Sequence, residues 1–313
     1  MKQLASYRHD PSAQAYAALL GARFAIATPP PAQERFQAVC GHDVHIDEYQ
    51  PVGPARGTII LVHGGGGHGR LLSPFVAPVL AQGFRVCAPD LPGYGLTRLG
   101  KAAHYDHWSA VVAALAEQAS SHGPVFLFGL SVGGVTALRA AQRTNAVRGV
   151  MCTTLIDLRN PDSFDLSGHS RRLGRVTRWL FRSLGGLLDW LRVPLYLLAP
   201  LAKMSSDRDV TRLLRNDPLI GKRWVSLGLV RSFHQYAPPR DDYHLPCPLL
   251  LVHPGSDLWT PVSMSMPVFD AIPSEKQLVI LSNGAHAPLE SPAYGELCAQ
   301  LKAFLDRHAP NAP

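Results

Sequence analysis

From Thr58 onward, short apolar runs alternate with longer segments whose apolar residues recur at helical spacing. Strands buried on both faces read as near-continuous apolar runs, whereas helices that cover a sheet carry a single apolar face. The alternation therefore predicts a mainly parallel central sheet flanked by helices. TIILVHG (58–64) is expected to be a strand that ends in a glycine loop, and FRVCAPDLPGYG (84–95) a strand followed by a Pro/Gly-rich loop. Residues 106–120 form a helical pattern with Trp108, Val111, Val112 and Leu115 on one face. The strand PVFLFGL (124–130), a helix over 135–142 and a strand over 147–157 follow. After a long interruption the pattern resumes with a strand over 248–257, a helix over 262–271, a strand over 277–286 and a last helix over 292–307. Upstream, the Pro29-Pro30-Pro31 break and the alternating stretch 36–49 predict a helical lead-in and an antiparallel hairpin at the sheet edge. The core thus takes in 1–157, with 1–57 as lead-in, and 246–313, while 158–245 is an insert.

Charge distinguishes the insert from the core. Between 158 and 240 there are fifteen Lys and Arg against six Asp, a net +9 that exceeds the +7 of the whole chain. Its centre, RVTRWLFRSLGGLLDWLRVPLYLLAPLAKM, mixes arginines with Trp179, Phe181, Leu187, Leu188, Trp190, Leu191, Tyr196 and Leu197. Such a segment is too charged to span a bilayer and has to pack over something. A helical cap over one end of the sheet is expected, because open parallel sheets bind ligands at the carboxyl ends of their strands.

Composition narrows the remaining possibilities. The chain has 313 residues, 46% hydrophobic and 17% charged, which is enough to bury a large single core. Five cysteines without CxxC spacing argue for free thiols in a reducing compartment, and against a disulfide framework or a zinc site. Arg23 interrupts the apolar run over 16–27, so a surface segment is expected there in place of a signal peptide. No charge-free stretch of about 18 apolar residues predicts a transmembrane helix, and nucleic-acid motifs are absent. A cytoplasmic chain with no cofactor and no metal is the expectation.

Chemistry concentrates in FLFGLSVGG (126–134). A strand that runs into a very tight turn leaves no room for side chains two positions either side of the turn residue, so Gly129 and Gly133 flank Ser131. The turn would lift the Ser131 hydroxyl clear of the sheet, before a helix whose N–H groups point at the site. Serine needs a base, and the base needs an orienting group. Asp257 in HPGSDLWTP and His286 in SNGAHAPLESP close successive strands in the required order. The oxyanion needs two donors. The Val132 N–H is one, and the loop His63-Gly64-Gly65-Gly66-Gly67-His68 supplies the other, with Gly65 favoured over Gly64 or Gly66. No GK[ST] follows that loop to make it a phosphate cradle, and His63 is expected to be a structural loop residue.

These residues together resemble the α/β-hydrolase superfamily along nearly the whole chain: HGGGG, APDLPGYG, GLSVG, the G-S-D-x-x-x-P around Asp257, and G-x-H followed by Glu290-Ser291-Pro292. Within it the chain is similar to capped monoacylglycerol lipase, lysophospholipase and carboxylesterase relatives. The resemblance implies an α/β-hydrolase fold with an inserted helical cap and a Ser131–His286–Asp257 triad. It also names Asp157 as a second-choice acid. Serine in place of aspartate at the nucleophile position argues against haloalkane dehalogenase or epoxide hydrolase activity. Hydrolysis of a small hydrophobic carboxylic ester through an acyl-enzyme is expected. The alternatives are thioester, lactone, amide or C–C cleavage with the same groups, and a non-catalytic ligand receptor on the same fold. The apolar, basic stretch 175–204 adds an expectation of weak peripheral membrane contact.

Overall fold

The computed structural model describes residues 5–160, 163, 169–236, 238 and 242–309. The segments of the insert at 161–162, 164–168, 237 and 239–241 lie outside the described residues. A lead-in helix α1 (Pro11–Phe24) precedes the hairpin β1 (Gln33–Val39) and β2 (His42–Tyr49). Then follow β3 (Thr58–Val62), α2 (Val76–Ala81), β4 (Arg85–Pro89), the short β5 (Arg98–Leu99), α3 (Asp106–Ser120), β6 (Val125–Gly129), α4 (Val132–Ala141) and β7 (Val147–Cys152). The insert contributes α5 (Arg171–Leu184), β8 (Arg192–Pro194), α6 (Leu195–Leu198), α7 (Arg208–Asn216), β9 (Trp224–Ser226) and α8 (Leu227–His234). The chain returns with β10 (Leu249–His253), α9 (Met266–Ala271), β11 (Lys276–Ile280) and α10 (Ala293–His308).

The sheet order is β1-β2-β4-β3-β6-β7-β10-β11, with β5 on the edge of β2. From β4 to β11 all neighbours are parallel, whereas β1, β2 and β4 pair antiparallel. Every residue of β3, β6 and β10 is buried, as their apolar composition requires. The edge strand β11 has only half-buried and exposed positions. Helix α3 spans the expected residues, and its Trp108, Val111, Val112 and Leu115 are buried against the sheet. The Trp108 indole N–H donates to the Pro92 carbonyl at 3.0 Å, so the largest core side chain is sealed without an unpaired donor.

Three expected strands are shorter than their apolar runs. β7 ends at Cys152 because its neighbour β6 turns away at Gly129; the Thr153 N–H closes the ladder on the Gly129 carbonyl. Residues Thr154 to Ile156 remain buried outside the sheet, with the Leu155 N–H held by the Ser265 hydroxyl at 2.9 Å. β10 stops before Pro254, which has no N–H to continue a ladder, and β11 stops level with it at Ile280. The insert also departs from an all-helical expectation, since β8 and β9 form an antiparallel two-stranded ribbon. No helix of the described residues is long and apolar enough to cross a membrane.

This topology positions the site. The chain order diverges on either side of β3, with β4 on one flank and β6 on the other. Val62 and Gly129 are paired in register at the carboxyl ends of β3 and β6, so the glycine loop and Ser131 emerge side by side.

Candidate active site

The elbow is a steric construction. Ser131 adopts φ 58° and ψ −135°, a positive φ rare for a residue with a side chain. A methyl group on Gly129 would overlap the Gly133 backbone, and one on Gly133 would overlap the Val62 carbonyl. The Ser131 N–H donates to the Thr153 hydroxyl at 3.1 Å and the Leu130 N–H to the Val62 carbonyl at 3.0 Å, which pins the turn from both sides. Helix α4 starts at Val132, directly after the serine. The Val132 N–H therefore sits in the first turn, where no intrahelical acceptor is available.

Ser131, His286 and Asp257 come together from three loops at the carboxyl ends of β6, β11 and β10. The Ser131 Oγ lies 2.7 Å from His286 Nε2, and His286 Nδ1 lies 2.8 Å from Asp257 Oδ2. The imidazole is 1% exposed. Asp257 is satisfied on both oxygens: Oδ1 accepts the Trp259 and Thr260 N–H groups at 2.8 and 2.9 Å, and Oδ2 accepts the Thr260 hydroxyl at 2.8 Å. Burial works against ionisation of this carboxyl, but the His286 hydrogen bond and charge together with the Thr260 donors outweigh it and hold it down at about 2. The Trp259 ring packs on His286 with centroids 4.6 Å apart. Thr260 is a site residue that the sequence reading passed over; its signal was a hydroxyl three residues after the acid, the spacing at which an aspartate collects N–H and O–H donors. Asp157 lies in a different environment: its carboxylate accepts the Arg159 N–H at 2.9 Å and pairs with the Arg159 guanidinium at 3.3 Å.

The glycine loop is fixed by His63. The Leu91 N–H donates to His63 Nε2 at 2.9 Å, so in the neutral ring the proton is on Nδ1, which donates to the Gly64 carbonyl at 2.8 Å. Burial drives the ring pKa down, in keeping with this neutral form. With the Gly64 carbonyl turned to His63, the trans peptide turns the Gly65 N–H the opposite way. Gly67 N–H closes the turn on Gly64 at 3.1 Å. Gly66 has φ +84°, and a methyl there would overlap Leu195 of α6.

Gly65, Ser131 and Val132 share one cavity of about 280 Å³ with Tyr94, Trp259, and side chains of α5, α6 and α8 in the insert. Among the described residues that line it there is no Asp, Glu, Lys or Arg. For a metal, the candidate group among the described residues is Glu34, His45 and Asp47, whose ligand atoms lie within 4.8 Å of one another. The Arg70 guanidinium already pairs with Asp47 at 2.6 Å and with Glu34 at 3.1 Å, so a cation of the protein's own fills that position.

The Hydrolase_4 family, described as serine aminopeptidase S33, matches residues 53–292. The chain is similar to lipase LipV of Mycobacterium tuberculosis, 34% identical over 110 residues that make up 35% of this chain and 40% of that protein. It spans between 27% and 40% of the length of the curated relatives it matches. Among solved structures, a soluble variant of monoglyceride lipase from Saccharomyces cerevisiae superposes with a TM-score of 0.72 at 19% identity, covering 90% of this chain and 97% of that one. A monoacylglycerol lipase from Paleococcus ferrophilus superposes with a TM-score of 0.63 at 22% identity, covering 85% and 99%. With the family match extending over most of the chain, the protein belongs to the Hydrolase_4 (serine aminopeptidase, S33) family of the α/β-hydrolase superfamily.

Proposed function

We propose that this protein is a hydrolase, a serine esterase that cleaves carboxylic esters of a hydrophobic acyl substrate through an acyl-enzyme. The observation that carries the reading is the chain of contacts from the Ser131 hydroxyl through His286 to Asp257, at 2.7 and 2.8 Å, on the floor of an apolar cavity. Ser131 Oγ attacks the ester carbonyl carbon while His286 Nε2 takes its proton. Asp257 orients the ring through Nδ1–H and stabilises the imidazolium. The Val132 and Gly65 N–H groups donate to the oxyanion. Collapse breaks the ester C–O bond, and His286 returns its proton to the departing alkoxide, which leaves as the alcohol. A water deprotonated by His286 then attacks the acyl-enzyme, and the second collapse frees the acid and restores the Ser131 hydroxyl. Engagement of Asp157 by Arg159 supports Asp257 over the second-choice acid.

The insert, taken as a cap over 158–245, sets the substrate. At about 30 Å³ per water-sized group, the cavity holds roughly nine such groups, which fits an acyl chain of medium length. Recognition of a free amine, as the family's name suggests for some members, would need a carboxylate, and none lines the cavity among the described residues. The arginines of the cap divide: Arg175 and Arg182 are exposed, whereas Arg178 is half-buried near His234 and Arg223 donates inward to the Gly95 and Gly93 carbonyls at 2.9 and 3.2 Å. On the outer face Trp179, Leu187 and Trp190 are 64%, 73% and 76% exposed, and Arg175 and Arg182 of the same basic stretch are exposed with them. Leu173 and Leu197 line the cavity and are also about half exposed, so the apolar patch continues into its mouth. Weak docking on an anionic lipid surface follows. Five free cysteines suit a cytoplasmic chain. The test is hydrolysis of p-nitrophenyl esters of graded chain length by wild type and Ser131→Ala, with a maximum at medium length expected for wild type alone. Equal rates in the two proteins would refute the reading.

A further inference from the structure

The loop that carries His286 is tied to the core at its ends and to the insert at its middle. On the core side, the Ser282 N–H donates to Glu296 at 2.8 Å and the Ala293 N–H to Asn283 Oδ1 at 3.1 Å. The Gly255 and Ser256 N–H groups donate to the Asn283 and Gly284 carbonyls at 2.9 and 3.0 Å. The two residues that flank His286 are bonded elsewhere. The Ala287 N–H donates to the Met204 carbonyl of the insert at 2.9 Å, and the Ala285 N–H to Glu290 Oε2 at 3.1 Å. The other oxygen of that carboxylate, Oε1, accepts the Ser206 N–H at 2.9 Å, the Ser206 hydroxyl at 2.8 Å and the Ser205 hydroxyl at 3.1 Å. Glu290 thus joins the residue before His286 to the insert just ahead of α7. That end of the insert is a firm anchor. Asp207 caps α7 by accepting the Asp209 and Val210 N–H groups at 2.8 and 3.0 Å, and Arg23 of α1 pairs with Asp207 at 3.6 Å. Burial opposes the charge of Glu290, but the N–H groups of Ser206 and Ala285 outweigh it and hold the carboxyl below its ordinary range. Bonds to an ionised acceptor are the stronger kind.

We propose that Glu290 is a positioning residue for the catalytic base, and that through it Ser205 and Ser206 of the insert help to set where the His286 imidazole sits. The inference rests on the esterase reading and adds residues to its machinery. Nδ1 and Nε2 hold the ring against Asp257 and Ser131, and both contacts depend on where the backbone of 285–287 presents the side chain. Misplacement of a reacting group by about 1 Å costs on the order of 10²-fold in rate. Without the carboxylate, the Ala285 and Ser206 N–H groups lose their acceptors together, and the bond from Ala287 to Met204 is left as the strut between this stretch and the insert. Glu290, Ser205 and Ser206 do not line the cavity that holds Ser131, so the loss falls on kcat and spares KM.

The experiment measures kcat and KM of the full chain for p-nitrophenyl octanoate, normalised to protein that melts cooperatively. Its variants are Glu290→Ala, Glu290→Gln, the pair Ser205→Ala with Ser206→Ala, and that pair combined with Glu290→Ala. Glu290→Ala should lower kcat about 10²-fold and leave KM within about threefold of wild type. Glu290→Gln keeps an oxygen for the Ala285 N–H and turns its amide to serine hydroxyls that can accept, so its kcat should recover to within about tenfold of wild type. The serine pair leaves the Ala285 bond in place and should lower kcat about fivefold, the worth of a typical hydrogen bond. Added to Glu290→Ala, the serine changes should cost nothing further, because they act through the carboxylate. A kcat for Glu290→Ala within about threefold of wild type, a loss carried by KM, a Glu290→Gln as slow as Glu290→Ala, or serine and glutamate effects that multiply overturns the proposal. Should Glu290→Ala fail to fold, the serine pair decides, and an unchanged kcat there overturns it. Failure of the esterase reading shows differently, as equal turnover by wild type and Ser131→Ala, whereas failure of this proposal leaves turnover dependent on Ser131.

Discussion

Replacing Asp257 by asparagine removes one charge from a buried, fully bonded position, and its cost can be worked from the site. The carboxyl is held at about 2 against an ordinary 3.8, which corresponds to roughly 2.5 kcal/mol of net preference for the charged form in its surroundings. If most of that comes from His286, charge loss alone lowers the rate about 60-fold. Geometry adds to this. Asp257 Oδ2 receives the Nδ1 proton of His286 and so leaves the Nε2 lone pair facing Ser131. An asparagine amide N–H at the same position would donate to Nδ1 and reverse the tautomer, an error worth about 10⁴-fold in kcat in serine hydrolase triads. Asp257→Asn is therefore expected to lose between about 10² and 10⁴ in kcat for p-nitrophenyl octanoate near neutral pH. Its thermal transition should remain single and cooperative. Parallel measurement of Asp157→Asn fixes the assignment: that variant should keep activity within a few fold of wild type. A kcat for Asp257→Asn within fivefold of wild type, or a larger loss in Asp157→Asn, would refute the reasoning.

Three further outcomes follow from named contacts. His63→Phe removes the bond to the Gly64 carbonyl and frees the Gly64–Gly65 peptide to rotate, so kcat should fall about 10²-fold with a smaller change in KM; unchanged kcat would contradict a role in orienting the oxyanion donor. Gly66→Ala meets both a φ of +84° and Leu195, and a loss of roughly 1–3 kcal/mol in urea melts, together with a shortened optimum acyl length, is expected; an unaltered midpoint would argue against it. The third concerns pH. Burial opposes the charge on His45, but Asp90, Asp47 and Glu34 outweigh it and raise its pKa above the ordinary 6.5. Its stabilising contribution is complete below 6.5 and is lost as pH rises through the raised folded value. Asp90 and Asp257 are held below the ordinary 3.8, so their contributions are present above that value and are lost on acidification through the lowered ones. Scanning calorimetry should give a Tm that falls from pH 6 toward pH 9 and a flatter alkaline limb in His45→Gln; a wild-type Tm that rises over that range would contradict the sign.

Much of the parallel core was legible because its strands are apolar on both faces and its helices on one. Helix α3 and the hairpin β1–β2 follow their patterns closely, since periodicity and burial agree there. Apolar runs overstate strand length wherever the run stays buried beyond its last pairing partner, as in 153–156, because hydropathy records burial and not hydrogen-bond pairing. The ribbon β8–β9 escaped notice, being two strands of three residues each separated by α6 and α7. At the site, Ser131, His286 and Asp257 could be named because strand-end position and chain order constrain them. Thr260 and the orienting bond of His63 could not, because each acts through a contact whose partner is fixed only by folding. Opaque for the same reason was the network in which Asp90 accepts Gly69 N–H, Leu96 N–H and the Tyr7 hydroxyl at 2.7, 2.7 and 2.8 Å, tying the lead-in to the end of the glycine loop. The basic character of the insert was plain in the sequence, but only the fold shows that no Asp, Glu, Lys or Arg among the described residues lines the cavity.

The central claim is that Ser131 carries the acyl group during turnover. Acid quenching during hydrolysis of p-nitrophenyl octanoate, followed by peptide mass mapping, measures this directly. The account predicts an octanoyl increment on the peptide that contains Ser131, accumulating with the nitrophenol burst and absent from Ser131→Ala. Turnover without acylated Ser131, or an acyl group on another residue that forms and decays at the rate of turnover, would contradict it.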